Sequence, residues 1–347
     1  MKIHRSLVAL ASGTLLGSGA LLATLPAYAA EPMPANYVAP AQRNAAIRYL
    51  IAVSYLTPEM GEELKAIDWE KLGTSIDPAK MTTEFNDAAK QNFDQVLQWT
   101  VDGTTMSKCN FESNYEAGVG TLLPQLAQMR QLARALRLDA RINLKNGDAD
   151  KAADRVMQML RLGSHLQQDS WLISVLVGAA VQQPAFHEAV AVASSPNLSE
   201  AKRRELIAAL QALDTPDPIH YQDAISVERR SIIAWLEKES AAPGAWQRIK
   251  PQLIEEGGPG SDLSLTDEEV RKQIGQLGSA YDAFAIAAKG TTSDADAAKF
   301  FERSQSGEWG TLSKMMMPGL EALRASERRY KEALAKAIAA LQSPAGK

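Results

Sequence analysis

From Leu126 to Leu144, apolar side chains return every three or four residues: Leu126, Met129, Leu132, Ala133, Leu136, Ala140 and Leu144. At 100° per residue they fall within an arc of about 120°, the stripe that a core-facing helix presents. The same rhythm runs through most of the chain, and its commonest residues, among them Ala, Leu, Gln, Glu, Lys and Arg, are good helix formers. Alternating runs of β-branched and aromatic residues are scarce, so strands have little support. Pro- and Gly-bearing breaks fall at 31–40, 73–78, 195–197, 215–218 and 257–262. Between them the pattern predicts helices over 41–56, 82–101, 116–146, 149–167, 171–193, 199–213, 217–240, 266–289 and 310–342. The expected fold is all-α, an antiparallel helical bundle or an irregular array of helical hairpins.

Local signals sharpen several boundaries. Ser199 precedes Glu200, and Thr266 stands three residues before Glu269 as a capping box. Within Asn146-Gly147-Asp148, the glycine suits the left-handed residue that ends a helix and the aspartate suits the cap of the next. Small Ala152 then lies where two antiparallel helices must approach closely. The last helix carries Leu320, Leu323, Tyr330, Leu334, Ala337 and Leu341 on one face, to pack along the bundle or against another chain. Tyr49 and Tyr55, together with Trp99, Trp171 and Trp235, sit in apolar patterns and are expected in the core. Trp246 and Trp309 lie near breaks and are expected at the surface.

The N-terminus changes the picture from fold to address. Lys2 and Arg5 precede an apolar run from Ser6 to Leu25, and Pro26-Ala27-Tyr28-Ala29-Ala30 offers a small-x-small cleavage site. Residues 1–30 are therefore expected to be a cleaved signal peptide. A retained anchor is the alternative, because the run approaches the ~20 residues that span a bilayer. No later segment is apolar enough to span a membrane. The protein is thus expected to be exported: periplasmic, envelope-associated or extracellular.

After cleavage about 317 residues remain, enough for one large domain or two modest ones. The expected layout is a main helical domain over 31–256, a hinge over 257–264 and C-terminal helices over 265–347 packing on the main domain. Hydrophobic residues make up 46% of the chain, so a packed core is feasible. The net charge of −4, about −6 without Lys2 and Arg5, lacks the basic footprint of a nucleic-acid binder. Cys109 is the lone cysteine and has no internal disulfide partner. It reads as a buried small hydrophobe, an intermolecular bridge or a reactive nucleophile.

Chemistry is thinly signalled. Arg130, Arg134, Arg137 and Arg141 form a guanidinium row beside the Leu126–Leu144 stripe. Such a row either pairs with carboxylates on an adjacent helix or lines an anion-binding groove. His165 lies nearly opposite the apolar face of its helix, in an exposed or inter-helix position, and joins the four arginines as a candidate binding residue. His165 with Asp169 and His220 with Asp223 have the spacing of two ligands on one helix face, but no third ligand follows at motif spacing. Neither a metal nor another cofactor is expected. A GxSxG elbow and a phosphate loop are both missing.

Cys109-Asn-Phe111, Tyr115-Glu-Ala-Gly118, Leu122-Leu-Pro124, Arg130-Gln-Leu-Ala-Arg134, Gly147-Asp148, His165-Leu and Leu172-Ile-Ser-Val-Leu-Val-Gly178 follow one another in that order. This series resembles uncharacterised secreted all-helical proteins of planctomycete-type bacteria, over about Cys109 to Phe186. The resemblance implies an exported all-α protein and carries no activity. The Leu144–Ala152 turn also resembles that of a tetratricopeptide hairpin, although 34 residues on, Val181 and Phe186 give no second copy. The expected function is a non-enzymatic binding or structural role toward a protein, peptide or glycan. The alternative is a secreted hydrolase with dispersed carboxylates or a Cys109-centred site.

Overall fold

The computed structural model describes residues 43–72, 77, 78, 87–254, 262–317 and 319–343. The expected signal segment and residues 257–261 of the expected hinge lie outside the described residues. The helices are α1 (Ala45–Ser54), α2 (Pro58–Ala66), α3 (Asp87–Thr104), α4 (Gln125–Lys145), α5 (Ala149–Gln167), α6 (Leu172–Ala193) and α7 (Glu200–Gln211). They continue as α8 (Tyr221–Ser240), α9 (Ala245–Leu253), α10 (Asp267–Ala288), α11 (Asp294–Ser306), α12 (Gly310–Met316) and α13 (Leu320–Gln342). One 3₁₀ turn, Tyr115–Gly120, precedes α4. Among the described residues there is no strand, only an isolated bridge between Asn44 and Lys108. The fold is all-α.

Several long predicted helices are interrupted, each for a local reason. The 116–146 prediction divides because Gly118 adopts φ 57°, ψ −127°, so the 3₁₀ turn cannot run on into α4. The 310–342 prediction divides at Met317, which precedes Pro318 and is extended (ψ 131°). Pro58 at the first position of α2, behind the Thr57 cap, starts a helix that the periodicity did not predict. α9 and α11 were likewise not predicted. The capping signals do operate: Thr266 and Glu269 form a reciprocal box, and Ser199 and Asp148 accept from the third backbone N–H beyond each. Gly147 takes φ 83°.

α6 is the central element. It is apolar on nearly every side, as a helix surrounded by protein must be. α4, α5, α8 and α13 all pack against it, and the described residues belong to one compact unit. The closest approach is α5 on α6, where Gly163 meets Gly178. A Cβ on Gly163 would lie 2.7 Å from the Gly178 carbonyl oxygen, and one on Gly178 would lie 2.6 Å from the Gly163 oxygen. Both neighbours are backbone and cannot move aside. Beside this crossing, Gln182 receives the Tyr330 hydroxyl at 2.7 Å and donates to the Leu160 carbonyl at 3.1 Å, which ties α13 and α5 to α6.

Trp246 and Trp309, expected at the surface, are buried, each at less than 5% exposure. The unforeseen helices explain this. Trp246 is carried on α9 and bonds the Leu263 carbonyl at 3.0 Å. Trp309 stacks on Phe300 of α11, with the Arg303 guanidinium 4.7 Å over its ring.

Replacing glycine by alanine inside a helix usually stabilises a protein by about 0.5–1 kcal/mol. Gly275→Ala on α10, where an added Cβ meets nothing within 4 Å, should follow that rule. Gly178→Ala should instead destabilise by roughly 1–3 kcal/mol through overpacking. Urea denaturation of the two variants checks the opposite signs.

Candidate functional site

The arginine row divides in two. Glu188 of α6 is 1% exposed and lies opposite α4. Arg137 Nε donates to its Oε1 at 2.8 Å, Arg141 Nη2 donates to the same oxygen at 2.9 Å, and Arg141 Nε stands in ion-pair contact with Oε2. The Arg137 guanidinium also lies 4.3 Å over the Trp69 ring. A carboxylate buried this deeply would be strongly destabilising without such partners. Arg137 and Arg141 therefore neutralise the core, as the pairing alternative anticipated. Arg130 and Arg134 differ: Arg130 is exposed, and Arg134 donates to Gln131 Oε1 at 2.9 Å. Burial, and then the like charge of Arg130, hold Arg134 below the ordinary arginine range.

His165 lies at the centre of a buried polar cluster at the α5–α6 corner. Its Nε2 is 3.0 Å from the Met106 carbonyl and its Nδ1 is 2.6 Å from the Tyr49 hydroxyl. A carbonyl only accepts, so Nε2 carries the proton and Nδ1 receives the tyrosine O–H. Burial pushes His165 down to about 4, and pushes Tyr49 upward. Cys109 is buried nearby, and its backbone N–H donates to Gln168 Oε1 at 2.8 Å. Burial, reinforced by the Asp169 charge, raises its thiol to about 12, far from the thiolate that a nucleophile requires.

Asp169 bonds a different set of partners. It accepts the hydroxyls of Ser113 and Ser174, each at 2.8 Å, and that of Tyr115 at 3.1 Å. The Tyr115 hydroxyl also contacts the Asp169 main-chain carbonyl, and its ring stacks on Trp171 at 5.5 Å. The i,i+4 pair His165 and Asp169 thus serves two sets of partners and does not converge on a common point. Among the described residues, no group of three or more His, Cys, Asp or Glu side chains has the arrangement to hold a metal ion.

Two open grooves lie along α8. Between α8 and α10 runs a groove of about 670 Å³, lined by Arg229, Ile233, Glu237, Arg271, Gly275 and Asp282. Arg229 Nε pairs with Asp282 at 3.0 Å across it. Another flank of α8 forms a second groove of about 370 Å³ with the 3₁₀ turn; Tyr115, Glu116, Arg230, Ala234, Trp235 and Lys238 line it. None of the sequence-predicted arginines, nor His165, lines either groove. The α8 residues had no recognisable signal, because the helices and turn that complete the grooves come from distant parts of the chain.

No family model matches the chain, and no curated protein or solved structure matches it. Among the described residues, no helix is long and apolar enough to cross a membrane.

The histidine makes stability pH-dependent. Its folded value of about 4 lies below the ordinary 6.5. Between those values the unfolded chain binds a proton that the folded chain does not, so stability falls as pH drops through the window. The full shift corresponds to roughly 3 kcal/mol. His165→Gln keeps a donor and an acceptor but does not titrate. In urea denaturation, the advantage of the native protein over this variant should shrink by roughly 2–3 kcal/mol between pH 7.5 and pH 4. An advantage equal at both pH values would contradict the assignment.

Proposed function

We propose that this chain is an exported, non-enzymatic helical protein that binds a protein, peptide or glycan in the periplasm, cell envelope or extracellular space. The address rests on the charged, apolar and small-residue pattern of the first thirty residues. The resemblance to secreted all-helical bacterial proteins supports the same address.

One observation carries the binding role: the buried groups with chemistry to offer at the α5–α6 corner and on α6 are satisfied internally. Both ring nitrogens of His165 are taken, Cys109 holds its proton, Asp169 accepts three hydroxyls and Glu188 is neutralised by two arginines. A general base or nucleophile needs a free lone pair within reach of substrate. Charged groups with room for a partner lie instead on the surface, among them Arg130 on α4 and those along both grooves of α8.

Affinity capture with the mature protein from the native exported fraction, followed by mass spectrometry, tests the reading. The expected result is a specific protein or glycan whose recovery falls when Arg130→Ala and Arg134→Ala are combined, or when charges along α8 are reversed. The reading is overturned if the purified protein shows hydrolytic turnover that Asp169→Asn or Cys109→Ser abolishes while the fold is kept.

A further inference from the structure

The second α8 groove is built in a way that selects a partner. Along α8 its wall is Val227, Arg230, Ser231, Ala234, Trp235 and Lys238, the i, i+3, i+4, i+7, i+8, i+11 series of one helix face. The opposite wall is the 3₁₀ turn bearing Tyr115 and Glu116. This wall is held in place before any ligand arrives. Gly118, at φ 57°, presses against the Trp235 ring so closely that a Cβ would collide with it. Tyr115 is fixed by Asp169 and Trp171, and its carbonyl receives the Ser231 hydroxyl.

The charges on this groove are uncommitted. Arg230 is exposed and bonds only the Ser226 hydroxyl, at 2.8 Å. Lys238 is exposed and forms no ion pair among the described residues, and neither does Glu116. Arg230 and Lys238 are eight residues apart on α8, so their backbones are separated by about 12 Å along the helix. Between them lie apolar Ala234 and the largely buried Trp235. Two cations flanking an apolar strip on α8, with the single carboxylate of Glu116 on the opposite wall, complement a segment with carboxylates at the same separation along α8 and apolar side chains between them.

We propose that the groove between α8 and the 3₁₀ turn binds an acidic amphipathic helix of a partner protein. Carboxylates two turns apart on that helix would meet Arg230 and Lys238, and its apolar face would cover Ala234, Trp235 and the Tyr115 ring. Helix geometry matches because the α8 wall repeats with the same three-four rhythm that a second helix presents. The proposal rests on the binding role above and names the partner's chemistry.

The probe is a fluorescein-labelled helical 16-residue peptide with a Leu/Ala face and Glu at positions i and i+8. Its Glu→Lys counterpart and vesicles of phosphatidylglycerol and phosphatidylcholine serve for comparison. Anisotropy titrations use the full chain. The acidic peptide should bind at least about tenfold more tightly than the basic one, and Arg230→Glu combined with Lys238→Glu should weaken it by about tenfold. Arg204→Glu, at an exposed position on α7 that lines neither α8 groove, should leave binding unchanged. Both variants alter exposed side chains, and circular dichroism checks that the fold persists. No binding of the acidic peptide, equal binding of the two peptides, insensitivity to the double reversal, or vesicle binding through Arg230 and Lys238 without peptide binding would each overturn the proposal. A captured partner whose recovery ignores the double reversal would overturn it while leaving the binding role standing.

Discussion

Two glycines touching backbone to backbone set the geometry of this protein. Gly163 of α5 and Gly178 of α6 let these helices approach more closely than any side chain would allow. That approach fixes the corner between them and hence the positions of His165, Asp169 and Trp171. It also brings Gln182 within reach of Tyr330, so α13 joins the same packing unit. α6 presents Glu188 to α4, Gln182 to α5 and α13, and otherwise mostly apolar side chains, which makes it the element against which the rest is organised.

The polar groups inside the molecule follow from that burial. A buried imidazole, carboxylate or carboxamide must find partners, and most of those partners here come from segments distant in sequence. Tyr49 comes from 116 residues before His165, and Ser113 from 56 before Asp169. These bonds attach α1 and the stretch from Met106 to Tyr115 to the α5–α6 corner. The same network holds the 3₁₀ turn against α8. Residues able to do chemistry elsewhere are used here to position a surface wall.

Much of the helical framework was legible in the sequence, because local periodicity and capping are local physics. The Leu126–Leu144 stripe, the Gly147-Asp148 turn and the Thr266–Glu269 box all operate as read. The short helices α2, α9 and α11 were not legible, since nine to thirteen residues hold too few apolar repeats to stand out. Trp246 and Trp309 were misplaced for the same reason: their covers are those helices. Of the candidate site, the arginine row was visible as a row, but only the structure separates Arg137 and Arg141, committed to Glu188, from Arg130 and Arg134. The α8 grooves left no trace in the sequence, since each is made by elements far apart along the chain.

The central claim is that the corner cluster makes the stretch before the 3₁₀ turn part of the core folding unit, so that the wall of the proposed groove stands preformed. Native-state amide hydrogen exchange tests this most directly at Cys109, whose N–H donates to Gln168 across 59 residues of sequence. The account predicts that this amide exchanges with the opening free energy and denaturant dependence of the α5 and α6 amides. Exchange faster by orders of magnitude and insensitive to low denaturant would contradict it, because the wall would then open independently of the core.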